Sequence, residues 1–430
     1  MNIGIVSLGC AKNRVDTETI MYLFNRNDVI IVSDFNDADI LLVNTCGFID
    51  SSKQESIDTI LELVEYNKIL IVTGCLVERY KEELQKEIPE VDLWISIKDY
   101  PNFSKLLNNV IKNKIFKGEL SNNLRLLSTP SYTAFLRISE GCNNLCTYCA
   151  IPLIRGSFRS YDFDELVLQS ENLAREGVKE LVIISQDTTR YGSDLKNVDI
   201  VSLLNALLEI KEFEYIRLLY LYPDEITDEL IELIGKEERL TPYFDIPIQH
   251  ASSKVLKAMN RRGDEVFLRN LFTKIRNKVP NAILRTTLIV GFPGETEEDF
   301  EILYNFVKDM KFDSLGTFTY SKEEGTKSYL FDNQVEEEIK IDRYNKIMEL
   351  QSEISLNNNQ NKIGEKSYGL IVGYDEEENA YLIRGRYNAP DDIDGNIYAY
   401  CEEELELGQK VKFEIIDAST YDLYAKIIIE

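Results

Sequence analysis

Short apolar runs alternate with helix-length amphipathic stretches along the first 125 residues of the chain. The apolar runs lie at 3–8, 40–43 and 69–72. Stretches such as 15–24 and 54–66 lie between them and have the periodicity of amphipathic helices. Because this alternation is typical of a parallel sheet with helices on its faces, residues 1–125 are predicted to form an α/β domain.

A second β/α series follows a polar stretch at 117–131, which we interpret as a linker. Its predicted strands are 135–139, 180–185, 215–222, 243–249, 283–290 and 313–320. Helical patterns such as 163–176 and 297–310 separate the strands, and a long charged helix at 336–360 leads out. Six β/α units predict a complete or partial TIM-like barrel over residues 130–360, with chemistry at the carboxyl ends of its strands.

The last part of the chain changes to short β-type runs with turn residues between them. The runs lie at 367–374, 380–386, 395–400, 409–416 and 423–428. This pattern predicts a small all-β barrel over residues 365–430. The fold class is therefore α/β, with an N-terminal parallel sheet domain, a central TIM-like barrel and a small C-terminal β-barrel.

Composition indicates an ordinary globular protein of several domains. The chain has 430 residues, of which 44% are hydrophobic and 28% are charged. No apolar run approaches the roughly 20 residues of a membrane helix, and the start MNIGIVSLGCAKN lacks the pattern of a signal peptide. We therefore expect a cytoplasmic protein without a membrane partner. Its seven cysteines, in a reducing compartment, are expected to bind metal or react as thiols rather than form disulfides.

Cys142, Cys146 and Cys149 form a C-x3-C-x2-C run directly after the first predicted barrel strand. Structural zinc normally takes four protein ligands, and no fourth cysteine or histidine lies nearby. A 4Fe-4S cluster held by three cysteines keeps one iron free for another ligand. The run therefore predicts such a cluster; the alternatives are a zinc knuckle and a catalytic thiol loop.

Cys10, Cys46 and Cys75 are far apart in the sequence, but each ends an apolar strand-like run. Ligands of open α/β sheets bind at the carboxyl ends of the strands, so parallel pairing brings these thiols to one edge. Glycine stands beside each of them, at Gly9, Gly47 and Gly74. The pattern predicts a second metal site, and the alternative is three buried small residues. Cys401, in the terminal barrel, is interpreted as a packed thiol.

The C-x3-C-x2-C run, with the aromatic Tyr148 before its third cysteine, resembles the signature of the radical S-adenosylmethionine superfamily. With the second cysteine set and the terminal barrel, which resembles a TRAM domain, the whole chain resembles the methylthiotransferase family. The segments SLGCAKNRVDTE, ISQDTTRYG and IRGRYNAPDDIDG look most like its ribosomal-protein aspartate branch, the RimO type. Ala11 departs from the proline that is common in that branch.

The resemblance implies two 4Fe-4S clusters, on Cys142, Cys146 and Cys149 and on Cys10, Cys46 and Cys75. It implies that S-adenosylmethionine binds the first cluster and yields a 5'-deoxyadenosyl radical, which removes hydrogen from the β-carbon of an aspartate. The second cluster would provide or hold the sulfur, a second cofactor molecule would donate the methyl group, and the product would be a 3-methylthioaspartyl residue. A flavodoxin- or ferredoxin-like electron donor and a sulfur source are further expected partners.

Several other residues are predicted to line the site. The segment IVGFPGE, with Gly291 and Glu295, resembles the glycine-rich stretch beside the adenine of the cofactor. The predicted cofactor-binding residues are Tyr148, Arg155, Gln186, Gly291 and Glu295. Arg159, Asp187 and Thr188 are weaker candidates of the same kind, for which ordinary loop contacts are the alternative. His250, the only histidine, ends the fourth predicted strand and is either substrate-facing or structural.

Charge bears on the choice of substrate. The formal net charge is -26, and residues 365–430 carry 16 acidic and 6 basic side chains, a net of -10. RNA binding depends on lysine and arginine that neutralise phosphates, whereas an acidic surface attracts a basic ribosomal protein. We therefore predict a small-subunit ribosomal protein as the modified substrate, and nucleic acid is not expected to be modified. The TRAM-like barrel favours the alternative of a tRNA adenosine methylthiotransferase, and a non-catalytic iron-sulfur adaptor of ribosome or RNA is a further one.

Overall fold

Residues near the amino terminus form a five-stranded parallel sheet in the order β2-β1-β3-β4-β5. The computed structural model describes residues 1–390 and 393–429. The strands are β1 Asn2–Ser7, β2 Ile30–Val32, β3 Ile40–Thr45, β4 Ile69–Gly74 and β5 Leu93–Ile95. The helices are α1 Ala11–Asn25, α2 Asp50–Val64, α3 Cys75–Glu87 and α4 Phe103–Val110. The parallel sheet and its three longer strands are confirmed, whereas β2 and β5 escape prediction because each spans only three residues.

The central domain contains the six predicted parallel strands and an additional short hairpin. Its strands are β6 Thr133–Arg137, β7 Ser139–Glu140, β8 Arg159–Ser160, β9 Glu180–Ile184, β10 Tyr215–Leu218, β11 Tyr243–Asp245, β12 Ile283–Val290 and β13 Ser314–Thr319. Its helices are α5 Ile151–Arg155, α6 Phe163–Arg175, α7 Ile200–Leu208, α8 Asp228–Lys236, α9 Ser253–Ala258, α10 Glu265–Lys278, α11 Glu297–Met310 and α12 Glu337–Gln360. None of the described helices is long and apolar enough to cross a membrane.

The barrel is partial. Strands β6, β9 and β10 form one parallel sheet and β11, β12 and β13 another, and backbone hydrogen bonds of Ile216 to the segment before β11 join the two. Within the described residues, β6 and β13 are not paired with each other. Strands β10 and β11 end earlier than predicted. Tyr220, two residues after β10, has a left-handed φ of 62°, and Pro247, two residues after β11, has no backbone N–H for strand pairing.

The carboxyl-terminal segment forms the predicted closed barrel, in the order β14-β15-β16-β18-β17. Its strands are β14 Lys366–Asp375, β15 Ala380–Gly385, β16 Ile397–Tyr400, β17 Lys410–Ala418 and β18 Leu423–Ile428. In the segment IRGRYNAPDDIDG, on which part of the family resemblance rests, Asp391 and Asp392 lie outside the described residues.

The small barrel covers the amino ends of the central strands. Arg384 donates to Glu180 (2.5 Å) and to Thr133 (2.6 Å), the first residues of β9 and β6. Arg217 of β10 donates to the carbonyl oxygen of Gly385 (2.6 Å) and to Glu180 (3.2 Å). Burial alone would raise the pKa of Glu180, but the two arginines outweigh burial and lower it. The Glu180 carboxylate therefore holds the C-terminal barrel against the central domain.

The N-terminal domain lies at the opposite, carboxyl end of the central strands. Arg137, the last residue of β6, donates to Asp16 of α1 (2.6 Å), and Arg79 of α3 donates to Glu323 beyond β13 (2.9 Å). The predicted linker is not a free connection, because buried Glu18 of α1 accepts hydrogen bonds from Arg125 (3.1 Å) and from the Ser128 backbone (3.1 Å). The central barrel is thus enclosed by a different domain at each end.

We expect Glu180→Gln to destabilise the full chain by about 3–5 kcal/mol, because it leaves the buried guanidinium groups of Arg217 and Arg384 without their carboxylate. Glu214→Gln is the matched control: Glu214 joins the same two domains through Lys410 (2.7 Å) at the surface, where the loss should stay below about 1 kcal/mol. Urea unfolding followed by circular dichroism measures both. Equal effects of the two variants would contradict the role of Glu180.

Candidate functional site

Cys142, Cys146 and Cys149 lie on one loop at the carboxyl end of β6, between β7 and α5. The two ends of the loop are held together by β7–β8 pairing and by a hydrogen bond from the Cys142 backbone to the carbonyl oxygen of Gly156 (3.2 Å). Gly141 has a φ of 75°, and a Cβ atom there would lie 2.2 Å from the carbonyl oxygen of Ser157. Only glycine therefore lets the loop close at this point.

The three thiols of this loop lie in a confined setting. The Asn144 backbone donates to the Cys142 sulfur (3.5 Å), and the Cys146 sulfur lies 3.8 Å from the Tyr222 hydroxyl. Burial, followed by the Cys146 thiol, raises the pKa of Cys149 to about 12. Neighbouring thiols of this kind oppose one another's ionisation. They bind as thiolates when a metal supplies positive charge, and the loop therefore fits an iron-sulfur cluster.

The second set of cysteines lies at the carboxyl ends of three adjacent strands, as predicted. Cys10 follows β1 and precedes α1, Cys46 follows β3, and Cys75 follows β4 and begins α3. A Cβ atom on Gly9 would lie 2.8 Å from the Cys46 Cβ and 3.0 Å from its sulfur, which shows how closely these strand ends approach. Burial raises the pKa of Cys75 to about 12 against the opposing charge of Arg155, and the Cys10 and Cys46 thiols act in the same direction as burial.

The two cysteine sets meet at the interface between the N-terminal domain and the barrel. Cys75 packs in one apolar cluster with Ala150 and Ile154, which immediately follow the barrel loop. Arg155, at the end of α5, donates to the Cys75 sulfur (3.4 Å). Among the described residues, no three His, Cys, Asp or Glu side chains are arranged to hold a single metal ion. A 4Fe-4S cubane requires a different arrangement of ligands, because each cysteine binds a separate iron.

Comparison with known proteins agrees with this architecture. Family models match residues 2–96 (Uncharacterized protein family UPF0004), 136–307 (Radical SAM superfamily) and 363–428 (TRAM domain). The ribosomal protein uS12 methylthiotransferase RimO of Clostridioides difficile (strain 630) is 45% identical, over 100% of this chain and 99% of its own. That of Alkaliphilus oremlandii (strain OhILAs) is 46% identical over 100% of both chains. The chain belongs to the ribosomal protein uS12 methylthiotransferase family.

Solved structures support the fold of this family member. The radical S-adenosylmethionine methyltransferase TsrM from Kitasatospora setae aligns with a TM-score of 0.54 at 11% identity, over 74% of this chain and 72% of its own. The cobalamin-dependent S-adenosylmethionine radical enzyme OxsB aligns with a TM-score of 0.51 at 13% identity, over 81% and 56%. Membership of the radical SAM superfamily implies a 4Fe-4S cluster and S-adenosylmethionine as cofactors.

Tyr148, Gly291 and Glu295 lie on one side of the barrel mouth. The Tyr148 ring packs edge-on against Phe292 with a centroid distance of 6.5 Å. Gly291 has a φ of 73°, and a Cβ atom there would lie 2.2 Å from a Lys340 side-chain carbon. Glu295 accepts from the Phe292 backbone (3.0 Å) and from Arg343, and burial raises its pKa to about 7. Its carboxyl group thus shapes the turn, and direct cofactor contact by these residues stays a prediction.

Gln186 and its neighbours connect β9 to the cysteine loop. The Gln186 amide donates to Glu140 (2.8 Å), and Asn144 within the loop donates to Asp187 (2.7 Å). Thr188 donates to the carbonyl oxygen of Leu219 (2.5 Å), which links β9 to β10. The structure therefore links Gln186 to Glu140, just before the cysteine loop, and Asp187 to the loop itself, and contact of these residues with a cofactor stays a prediction.

The Arg155 guanidinium binds a carboxylate of the protein itself, that of Asp16. Its guanidinium donates to Asp16 (2.7 Å) and to Asn13 (2.5 Å), and its side chain is 2% exposed. Pairing with a cofactor carboxylate stays a prediction, whereas the structure assigns Arg155 an interdomain contact. Arg159 stands apart from this group, with its guanidinium carbon 5.8 Å from the ring centre of Tyr161.

Of the two roles predicted for His250, the structure supports the structural one. It is fully buried, its Nδ1 accepts from the Ser252 backbone (2.9 Å), and its Nε2 lies 3.7 Å from a Glu295 oxygen. Burial lowers its pKa to about 3, so the ring is neutral at neutral pH. A neutral, enclosed imidazole supports the loop beneath the site. Cys401, by contrast, is partly exposed, and it follows β16 in the C-terminal barrel, away from both cysteine sets.

Sequence pattern does not identify several polar residues that surround the two cysteine sets. They are Asn13, Asp16, Arg137, Glu140 and Tyr222. One signal was present: Asn13 and Asp16 lie three and six positions after Cys10, so a helix beginning there places both on one face. Their buried arginine partners come from another domain, which helical periodicity cannot identify.

We expect Gly141→Ala to reduce the iron bound after anaerobic reconstitution by about one 4Fe-4S cluster per chain, because the added Cβ would displace the loop that carries Cys142. Gly156→Ala is the matched control. Gly156 has nearly the same φ, 74°, and a ψ of -161°, a conformation that strains any side chain, but a Cβ atom there would meet nothing within 4 Å, so about 1–3 kcal/mol of backbone strain is added without a steric clash. Iron analysis of both variants measures the difference. Full iron in Gly141→Ala would show that the loop tolerates the change.

Proposed function

We propose that this protein adds a methylthio group to the β-carbon of an aspartate in ribosomal protein uS12, forming a 3-methylthioaspartyl residue. The observation that carries the proposal is the meeting of two three-cysteine sets at one interdomain interface, where Cys75 packs on Ala150 and Ile154. The curated relatives named above, which match over the full chain, carry the activity of uS12 methylthiotransferases in their names.

Each cysteine set would hold one 4Fe-4S cluster. Three thiols leave one iron of a cubane open, which suits S-adenosylmethionine at the barrel loop and a sulfur species at the N-terminal sheet. Helices α1 and α3 begin directly after Cys10 and at Cys75, and the amino ends of helices favour the negative charge of thiolates. These features of the chain support a second, auxiliary cluster at the sheet edge.

The protein's own residues hold and enclose the reacting groups. When bound, the clusters and S-adenosylmethionine would supply the radical chemistry, the methyl group and the sulfur. Gly141 and the β7–β8 pairing fix the barrel loop, and the strand ends fix Cys10, Cys46 and Cys75. The N-terminal domain lies over the carboxyl ends of the strands and buries Cys75, whereas Cys10 stays exposed and the other four cysteines of the two sets are partly buried. An electron donor of the flavodoxin or ferredoxin class and a sulfur source complete the proposed set of partners.

Charge supports a basic protein as the substrate. The net charge of -26 attracts a basic ribosomal protein and repels a phosphate backbone. The acidic C-terminal barrel packs on the amino ends of the central strands, whereas the cysteine loop follows their carboxyl ends. That barrel therefore acts on the substrate through its long-range field or through contacts away from the target aspartate. No contact among the described residues favours the tRNA or adaptor alternatives.

We expect the reconstituted wild-type chain to bind about eight iron atoms, four in each cluster. Replacing Cys142, Cys146 and Cys149 by alanine should remove about half, and replacing Cys10, Cys46 and Cys75 should remove the other half. Cys401→Ala is the control and should retain all the iron. Iron analysis with Mössbauer spectroscopy measures the content and the cluster type. If the first triple variant lost all the iron, the second cluster would be refuted.

We further expect anaerobic reaction with reductant, S-adenosylmethionine and sulfide to add one methylthio group to the aspartate of a uS12 loop peptide. A tRNA anticodon stem in the same tube should stay unmodified. Mass spectrometry reads both substrates, and Cys142→Ala and Cys46→Ala should abolish the product because each removes a cluster ligand. A peptide with asparagine at the target position is the substrate control. Modification of the tRNA instead of the peptide would overturn the proposed substrate.

A further inference from the structure

One buried guanidinium of the barrel domain reaches the N-terminal cysteine set. The Nη1 of Arg155 donates to an Asp16 oxygen (2.7 Å), and its Nη2 donates to the Asn13 side chain (2.5 Å) and to the Cys75 sulfur (3.4 Å). The side chains of Arg155 and Asp16 are 2% and 4% exposed. A charged group so deeply buried is stable only because its partners satisfy it.

The partners of Arg155 come from three segments of the site, namely α1, the start of α3 and β7. Arg155 ends the helix that follows Cys149, and Asp16 lies on the helix that follows Cys10. Glu140, which precedes the barrel cysteine loop, lies 3.5 Å from the same guanidinium nitrogen that binds Asp16. The Arg155 side chain therefore connects the helix after the barrel loop to the edge of the N-terminal sheet.

A hydrogen bond to a ligand sulfur changes the electronic properties of an iron-sulfur cluster. An N–H donor stabilises negative charge on sulfur, and a cluster becomes more negative when it is reduced. A guanidinium remains protonated at all ordinary pH values, so this effect is permanent. The donor that touches Cys75 should therefore favour reduction of a cluster bound there.

We propose that Arg155 is a positioning residue that holds Cys75 by an N–H···S hydrogen bond and raises the reduction potential of the auxiliary cluster. The proposal rests on the proposed function, which supplies that cluster. Asp16 has the supporting role, because it accepts from Arg155 and orients the guanidinium so that its other nitrogen faces the sulfur.

Arg137 provides a matched control. It donates to the other oxygen of Asp16 (2.6 Å) and lies 3.0 Å from Glu140, and its side chain is as deeply buried, at 5% exposure. Within the described residues it makes no contact with a cysteine. Its removal takes one positive charge from the same carboxylate and leaves the sulfur contact in place.

The experiment uses the full chain with Cys142, Cys146 and Cys149 replaced by alanine, so that only the auxiliary cluster contributes a signal. Arg155→Met, Arg155→Lys and Arg137→Met are made in this background and reconstituted without oxygen. A redox titration followed by electron paramagnetic resonance gives the potential of each. We expect Arg155→Met to lower the potential and to change the spectrum, Arg155→Lys to lie between it and the parent, and Arg137→Met to produce a smaller shift.

Each outcome decides between the possibilities. Loss of all iron from the background itself refutes the auxiliary cluster, and with it both the two-cluster function and this inference. A normal cluster whose potential is unchanged in Arg155→Met, or shifts equally in Arg137→Met, overturns the role of Arg155 and leaves the proposed function intact. If Arg155→Met cannot retain the cluster, Arg155→Lys decides, because it keeps the charge and loses the planar fork: a potential equal to that of the parent overturns the proposal.

Discussion

The site depends on one buried ionic contact, in which the two oxygens of Asp16 each accept from a different arginine of the barrel domain. Burial alone would raise the pKa of Asp16, but Arg137 and Arg155 outweigh it and lower the pKa. Removing buried ions from water is costly, so the contact is favourable only when all three groups are in register. A small displacement of either domain would leave a buried charge unpaired. The contact thus selects one arrangement of the two cysteine sets and opposes others.

This arrangement gives the two ends of the central barrel different tasks. At the amino ends of the strands, Glu180 binds two arginines and fixes the C-terminal barrel. At the carboxyl ends, the cysteine loop faces the edge of another parallel sheet. The central strands and the N-terminal sheet therefore face each other with their carboxyl ends, the ends at which α/β folds bind ligands. Buried ion pairs fasten a domain at each end of the barrel, and the groups suited to chemistry lie at the carboxyl end.

Much of this could be predicted from local sequence pattern. Three cysteines at the ends of apolar runs come together because parallel strands share a direction, and this requires no knowledge of side-chain contacts. The order of the three folds and the family likeness were equally accessible. The choice between complete and partial closure of the barrel was not, because it depends on whether β6 and β13 pair with each other, which local sequence pattern does not encode. Arg155 was singled out for binding a carboxylate, and the carboxylate that it binds within the protein is contributed by a distant helix. Pairings of this kind depend on tertiary packing, which periodicity does not encode.

The electrostatics between the cysteine sets have a consequence for turnover. The lowered pKa of Asp16 means that its stabilising charge is present above its unfolded value near 3.8 and is lost only as the pH falls through its lower folded value. Both of its arginine partners stay protonated throughout the same range. Near neutral pH these charges are therefore fixed, and the protein need not reorganise them when an electron arrives at a neighbouring cluster. A preorganised field of this kind favours the charged state at which it is directed, and it does so without a conformational change. The buried arginine that binds Asp16 and touches Cys75 is accordingly better suited to setting a potential than to carrying a proton.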